Sequence, residues 1–186
     1  MNFTFNSSQS YAITGPNGSG KSTLLQAIAG AINIAEGSVQ FTINNTPVPA
    51  DEMHKHISIA APYLELVEEM TAKEFLQFHQ TFKPFISGCT SNSILREIDL
   101  EKAADKQIRY YSSGMKQRVK LAQAVFSDVP AILLDEPCTN LDAPGYELYH
   151  SLINNYCSNR LVIVSSNDID EYSFCTTRLS MTDFKP

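Results

Sequence analysis

Residues 15–22 read Gly15-Pro16-Asn17-Gly18-Ser19-Gly20-Lys21-Ser22, matching G-x-x-x-x-G-K-[ST] at every fixed position. Tyr11 to Thr14 before it have strand grammar. After it, Leu24, Leu25, Ile28 and Ile32 recur at helical spacing, and Gly30 sits where that helix can stop. Strand, glycine-rich loop and helix, in that order, build an anion site. The glycines let the backbone curl round a polyphosphate, so that successive N–H groups and the helix N-terminus face the charge. Pro16, Asn17 and Ser19 complete the loop. Lys21 is placed to reach β- and γ-phosphates, the Ser22 hydroxyl to ligate Mg²⁺, and Thr23 to add a phosphate donor.

Working outward, residues 131–136 read Ala-Ile-Leu-Leu-Asp-Glu, an apolar run that delivers two carboxylates at its C-terminal end, where open α/β sheets place their ligands. Asp135 is expected to hold the Mg²⁺ shell and Glu136 to polarise an attacking water. Leu161 to Ser165 is a second near-continuous apolar run, of the kind a parallel sheet buried on both faces requires. Phe3 and Phe5, then Tyr11 to Thr14, read as two short strands joined by Asn6 to Gln9. Val39, Phe41 and Ile43 alternate as a half-buried strand followed by a turn at Asn44-Asn45-Thr46-Pro47, and Ile57 to Ala61 closes another strand before Pro62.

From Thr71 to about Phe126 the pattern turns helical. Thr71 with Glu74 has the form of a capping box, and Ile94–Ala104 and Met115–Phe126 are amphipathic. Between these lies Tyr111-Ser112-Ser113-Gly114-Met115-Lys116-Gln117-Arg118, small residues opening a helix, which taken alone is as consistent with an N-cap as with an anion site. The expected fold class is α/β with a largely parallel sheet and a helical insert.

With four motifs in this order, the chain resembles the ATP-binding cassette (ABC) transporter ATPases over nearly its whole length. They are the loop at 15–22, a signature loop at 111–115 like L-S-G-G-Q, the strand ending Asp135-Glu136-Pro137, and Asn140-Leu141-Asp142 like S-x-L-D. The resemblance implies a P-loop NTPase fold with a RecA-like core over 1–70 and 127–186. It also implies a helical subdomain over about 71–126 and a short N-terminal antiparallel β portion. MgATP would be sandwiched in a head-to-tail dimer, with Ser112, Ser113, Gly114 and Asp142 joining the loop residues around the nucleotide. The partners implied are a second ATP-binding subunit and a transmembrane permease, which would hold the chain at the cytoplasmic face of a membrane.

Departures accompany the match. Tyr111, Ser113 and Met115 replace Leu, Gly and Gln of the signature. Asn167 stands where a switch histidine is usual, and Ala60 to Leu64 carries no Gln. Asn167 is able to hydrogen-bond a γ-phosphate but not to carry an imidazolium charge. The resemblance further implies a strand and an adenine-stacking aromatic ahead of the loop. Fourteen residues precede Gly15, so the expectation is that this element lies outside the sequence, with the true start upstream, or that adenine is held loosely.

The 186 residues are 43% hydrophobic and 18% charged, which suits one domain with a packed core and excludes a disordered tail. A net charge of −6 argues against broad capture of nucleic acid, and Lys116, Arg118 and Lys120 read as a solvated face. No run approaches the ~18 apolar residues of a membrane span, and residues 1–20 lack the basic start and apolar middle of a signal peptide. Cys89, Cys138, Cys157 and Cys175 are read as free thiols. His54, His56, His79 and His150 show no ligand spacing. Phe75, Phe78 and Phe82 either pack internally or help form a docking groove for a permease helix. Two rival functions remain: a dimerising module with weak or no hydrolysis, and a soluble ABC ATPase acting on ribosomes or DNA.

Overall fold

A computed structural model of the chain describes residues 2–184. Two compact units emerge, one of residues 1–59, 129–135 and 159–186, the other of 60–128 and 136–158.

The first unit is organised by a five-stranded sheet in the order β4-β5-β6-β1-β7. Its strands are β1 (Ser10–Thr14), β4 (Ile57–Ala60), β5 (Ala131–Asp135), β6 (Leu161–Ser165) and β7 (Thr177–Ser180). The β1–β6, β1–β7 and β5–β6 ladders are parallel. Every residue of β5 and β6 is buried, which is why both read as unbroken apolar runs. Helix α1 (Lys21–Ile28) covers one face, where Leu25 and Ile28 join Tyr11, Ile13, Ala131, Leu133, Leu161 and Ile163 in a single core cluster. Gly30, at φ +70°, ends this helix: its N–H donates to the Ala27 carbonyl while that of Ala31 donates to Gln26.

A separate antiparallel pair, β2 (Phe41–Ile43) and β3 (Thr46–Val48), supplies the short β portion. Its turn is only Asn44-Asn45, both with positive φ, so Thr46 and Pro47 begin the return strand instead of completing the turn. Val39 lies outside β2. The strand expected at Phe3 and Phe5 does not form. Both rings pack edge-on against Tyr11, with centroids 5.8 and 5.0 Å away, and the Asn6 N–H donates to the Tyr11 hydroxyl. Aromatic packing takes the place of a ladder there.

The second unit is helical: α2 (Ala72–Gln80), α3 (Ser91–Glu97), α4 (Ser113–Phe126) and α5 (Ala143–Tyr156). The Thr71–Glu74 capping box forms in full and starts α2, a feature worth about 1 kcal/mol. The single helix expected over 94–104 is interrupted, because Asp99 adopts φ +57° and residues 101–103 continue as a 3₁₀ turn. Leu76, Ile94, Leu95, Ile98, Leu121, Phe126, Tyr149 and Leu152 form the interior. A short helix, α6 (Ile169–Tyr172), returns in the first unit between β6 and β7.

Candidate functional site

In the first unit, β1 runs into the loop 15–20 and α1 begins at Lys21, the order expected from the sequence. Gly15, at φ +150°, cannot be replaced without strain: a Cβ there would meet Ser19 Oγ at 2.9 Å and Met181 Cβ at 3.0 Å. Gly20 occupies the N-cap of α1 in the left-handed region, and no side chain caps the helix. The first amides of a helix have no intrahelical partner, so those of α1 are left for a ligand. Lys21 is 6% exposed, and its ammonium donates to the Gly15 carbonyl across the loop at 2.8 Å, holding a positive charge inside the curl.

One more sequence-selected residue meets this loop, and a second lies at the end of β5 in the same unit. The Gly15 N–H donates to Asn167 Oδ1 at 3.1 Å, and Asn167 Nδ2 reaches Asn17 Oδ1 at 3.5 Å, so the second residue past β6 pins both the start and the crest of the loop. Asp135 ends β5, is 2% exposed, and has one carboxylate oxygen, Oδ1, with no hydrogen-bond partner. A buried oxygen left so costs on the order of 1–3 kcal/mol. With the Ser22 hydroxyl it offers the hard oxygen donors that Mg²⁺ takes, so these residues fit that ion. Pro16, Asn17 and Gly18 are exposed at the crest, as is Thr23 on α1, while Ser19 is buried.

The second unit holds the remaining predicted residues. Ser112 is the N-cap of α4 and accepts from the Met115 N–H at 3.2 Å, with Ser113 exposed beside it. Tyr111, where the signature has Leu, is buried and its hydroxyl donates to the Ala103 carbonyl at 2.6 Å, anchoring the loop from behind. Glu136, exposed, adopts φ +43°, an uncommon conformation for a residue with a side chain. Three contacts from α4 fasten the chain that follows it. A Cβ on Gly114 would lie 3.0 Å from the Asn140 carbonyl, Gln117 Nε2 donates to the Pro137 carbonyl at 2.7 Å, and the Arg118 guanidinium lies 3.7 Å from Asp142. Asp142 also caps α5 by accepting from the Gly145 N–H. Gln117 and Arg118 were legible only as parts of a helix.

The basic trio is engaged locally. Lys116 pairs with Glu68, Arg118 with Asp99 and Asp142, and Lys120 donates to the Ala61 and Pro62 carbonyls. A cavity of about 430 Å³ lies here, lined by Pro62, Glu65, Lys116, Gln117 and Asn140 among others. Phe75 is buried, whereas Phe78 and Phe82 are 47% and 69% exposed and stack edge-on at 5.1 Å. Among the described residues no cluster of His, Cys, Asp and Glu could hold a metal by itself. His79 is satisfied by Ser127 at 2.8 Å, and burial pushes its pKa down to about 4.

A family profile described as "ABC transporter" matches residues 1–139. The chain belongs to the ABC transporter family. Among curated ABC relatives, "Cytochrome c biogenesis ATP-binding export protein CcmA" of Xylella fastidiosa is 32% identical over 154 residues, 82% of this chain and 68% of that protein. The ABC transporter ATP-binding protein YybJ of Bacillus subtilis is 28% identical over 97% of this chain and 84% of its own. The ABC fold is equally plain in solved structures. The dimeric ATP-binding cassette MJ0796, in a post-hydrolysis state with ADP and Pi, superposes with TM-score 0.81 at 27% identity, covering 96% of this chain and 83% of that one. A putative ABC transporter ATP-binding protein from Pyrococcus furiosus gives TM-score 0.82 at 20% identity, covering 100% and 90%.

Proposed function

We propose that this chain is the ATP-binding subunit of an ABC transporter, which binds and hydrolyses MgATP and drives a separate transmembrane permease. The observation that carries the reading is the uncapped start of α1 with buried Lys21 beneath it. Free amides and an ammonium in a concave loop are the recognition chemistry of a nucleotide's phosphates.

In this reading the amides of Gly18, Gly20, Lys21 and Ser22 and the Thr23 hydroxyl bind the phosphates, while Gly15, Pro16, Asn17 and Ser19 shape the loop through the Gly15–Asn167 and Ser19–Pro16 hydrogen bonds. Lys21 exchanges its bond to the Gly15 carbonyl for β- and γ-phosphate oxygens. Ser22 and Asp135 would hold Mg²⁺, which would supply charge neutralisation at the phosphates. Glu136 orients and polarises the attacking water, and Asn167 gives its amide to the γ-phosphate. Ser112, Ser113, Gly114 and Asp142 complete the site of a second ATP-binding subunit, in which Ser112 releases the Met115 amide to the phosphate. Positioning and fixed dipoles supply most of the rate.

Exposed Phe78 and Phe82 suit an apolar contact with the permease, which would hold the chain at the cytoplasmic face of the membrane. Among the described residues no helix is long and apolar enough to cross one. Lys116, Arg118 and Lys120, the residues on which the rival nucleic-acid reading would draw, are bound to Glu68, to Asp99 and Asp142, and to the Ala61 and Pro62 carbonyls.

A second reading, a nucleotide-dependent dimerising module that hydrolyses poorly, draws on Asn167, whose Nδ2 donor already reaches Asn17 Oδ1 and whose amide cannot carry an imidazolium charge. One assay separates the two: ATP turnover of the purified protein against Glu136→Gln. Wild-type turnover should exceed the variant's by roughly 10²–10⁴-fold, and equal rates would overturn the enzyme assignment in favour of the second reading.

A further inference from the structure

The two fully buried strands beside the phosphate loop end in the same way. On the face covered by α1, β5 presents Ala131, Leu133 and Asp135, and β6 presents Leu161, Ile163 and Ser165, with Asp135 and Ser165 as register partners. Adjacent strands lie about 4.8 Å apart, and opposed residues point to the same face. Both rows are therefore apolar until their last position, where both turn polar. That position also pairs with Ile13 on β1, two residues before the loop begins.

Asp135 Oδ1 and Ser165 Oγ share a second property. Asp135 is 2% exposed and Ser165 0%, yet neither of these oxygens has a hydrogen-bond partner. The neighbouring serine shows the contrast, for Ser166 Oγ accepts from the Asp168 N–H at 2.9 Å and so has a local structural task. Ser165 has none, and burying a hydroxyl without a partner is unfavourable when Val or Ala would fill an apolar strand end.

We propose that the Ser165 hydroxyl is a third protein oxygen of the cation site, holding one of the Mg²⁺ water ligands from outside the inner shell, next to Asp135. The inference rests on the MgATP reading above and adds to it a residue outside the loop and outside the carboxylate pair. Mg²⁺ dehydrates reluctantly and keeps several waters, whose protons need acceptors beyond them. The oxygen of a hydroxyl is such an acceptor. Outer-shell partners of this kind typically cost 10–100-fold in metal affinity when removed.

The test uses the full chain with ADP, so that turnover does not enter, and Mn²⁺ as the probe read by electron paramagnetic resonance. Ser165→Ala should raise the Mn²⁺ Kd of the ADP complex about tenfold. ADP affinity in EDTA should be unchanged, and the metal-free Tm should not fall, because an unpartnered hydroxyl has been removed. Ser165→Thr, which keeps the hydroxyl, should restore wild-type Mn²⁺ affinity. An unchanged Mn²⁺ Kd in Ser165→Ala overturns the proposal. So does a loss of ADP affinity in EDTA by the same factor, or a fall in metal-free Tm, since either marks a structural hydroxyl. Wild-type protein that binds ADP no better with Mn²⁺ than without would overturn the MgATP reading itself, and the proposal with it.

Discussion

Two helices of this molecule begin on short runs of small residues, and they begin differently. Helix α1 opens from Gly20 in a left-handed conformation with no side-chain cap, and Lys21 is folded under its first turn. Helix α4 opens from Ser112 in extended conformation, and the serine's own oxygen takes the Met115 amide. The first N-terminus is held open by its backbone and pre-charged. The second is closed on itself, its leading amide already taken by its own cap. Serine-rich and glycine-rich starts are thus not equivalent, and the conformation of the N-cap residue decides between them.

The strongest attack on that distinction is Lys21→Ala. Turnover should drop at least ~100-fold, the loss expected when one pre-positioned donor is removed, while the sheet keeps its Tm. Retained turnover would erase the difference between the two helix starts. Next in size is Gln117→Leu, which strips the Pro137 carbonyl of its buried donor and should destabilise the chain by about 1–3 kcal/mol in chemical denaturation. Because Glu136 sits one residue away at positive φ, kcat should fall with KM for ATP unchanged. Stability lost without any kcat effect would separate the α4 staple from catalysis.

Ser112 gives the sharper, smaller test. Ser112→Ala should cost about 1 kcal/mol through loss of the cap, and Ser112→Asp should recover it. The aspartate should nevertheless lower turnover by at least ~10-fold, since it adds a negative charge where phosphate is expected. Equal turnover of Ser112→Asp and wild type would leave α4 with a cap and no nucleotide role. The smallest effect concerns His79 in the second unit. Its pKa falls from 6.5 to about 4 on folding, so the unfolded chain gains its proton first. Stability is therefore unaffected above pH 6.5 and declines as pH falls from there towards 4. His79→Gln should flatten Tm against pH across that window, and an unaltered slope would show that other groups set it.

What could be read from the sequence was local. The loop at 15–22, the Thr71–Glu74 box and the apolar runs of β5 and β6 each carry their structure in adjacent residues. Helix α5 is hidden because Pro144 and Gly145 resemble breakers, although proline is favoured in a first helical turn and Tyr149, Leu152 and Ile153 are buried behind it. Strand β7 has a single buried apolar residue, Leu179, and exists through its ladder with β1. Phe3 and Phe5 alternate like a strand, yet their rings found Tyr11 before their backbone found a partner. At the site, the bond from Gly15 to Asn167 spans 152 positions and has no local signature. Ser165 closes an apolar run as many surface-bound strand ends do, and only its pairing with Asp135 and its lack of a partner distinguish it.

Asn167 has one more consequence, for acidity. An imidazole at the end of β6 would change its charge between pH 5 and 8. The amide offers the same acceptor to the Gly15 N–H, and the same donor beside it, at every pH at which the chain stays folded. This clasp on the phosphate loop does not respond to protons, and any acid limb in the protein's activity originates in another group.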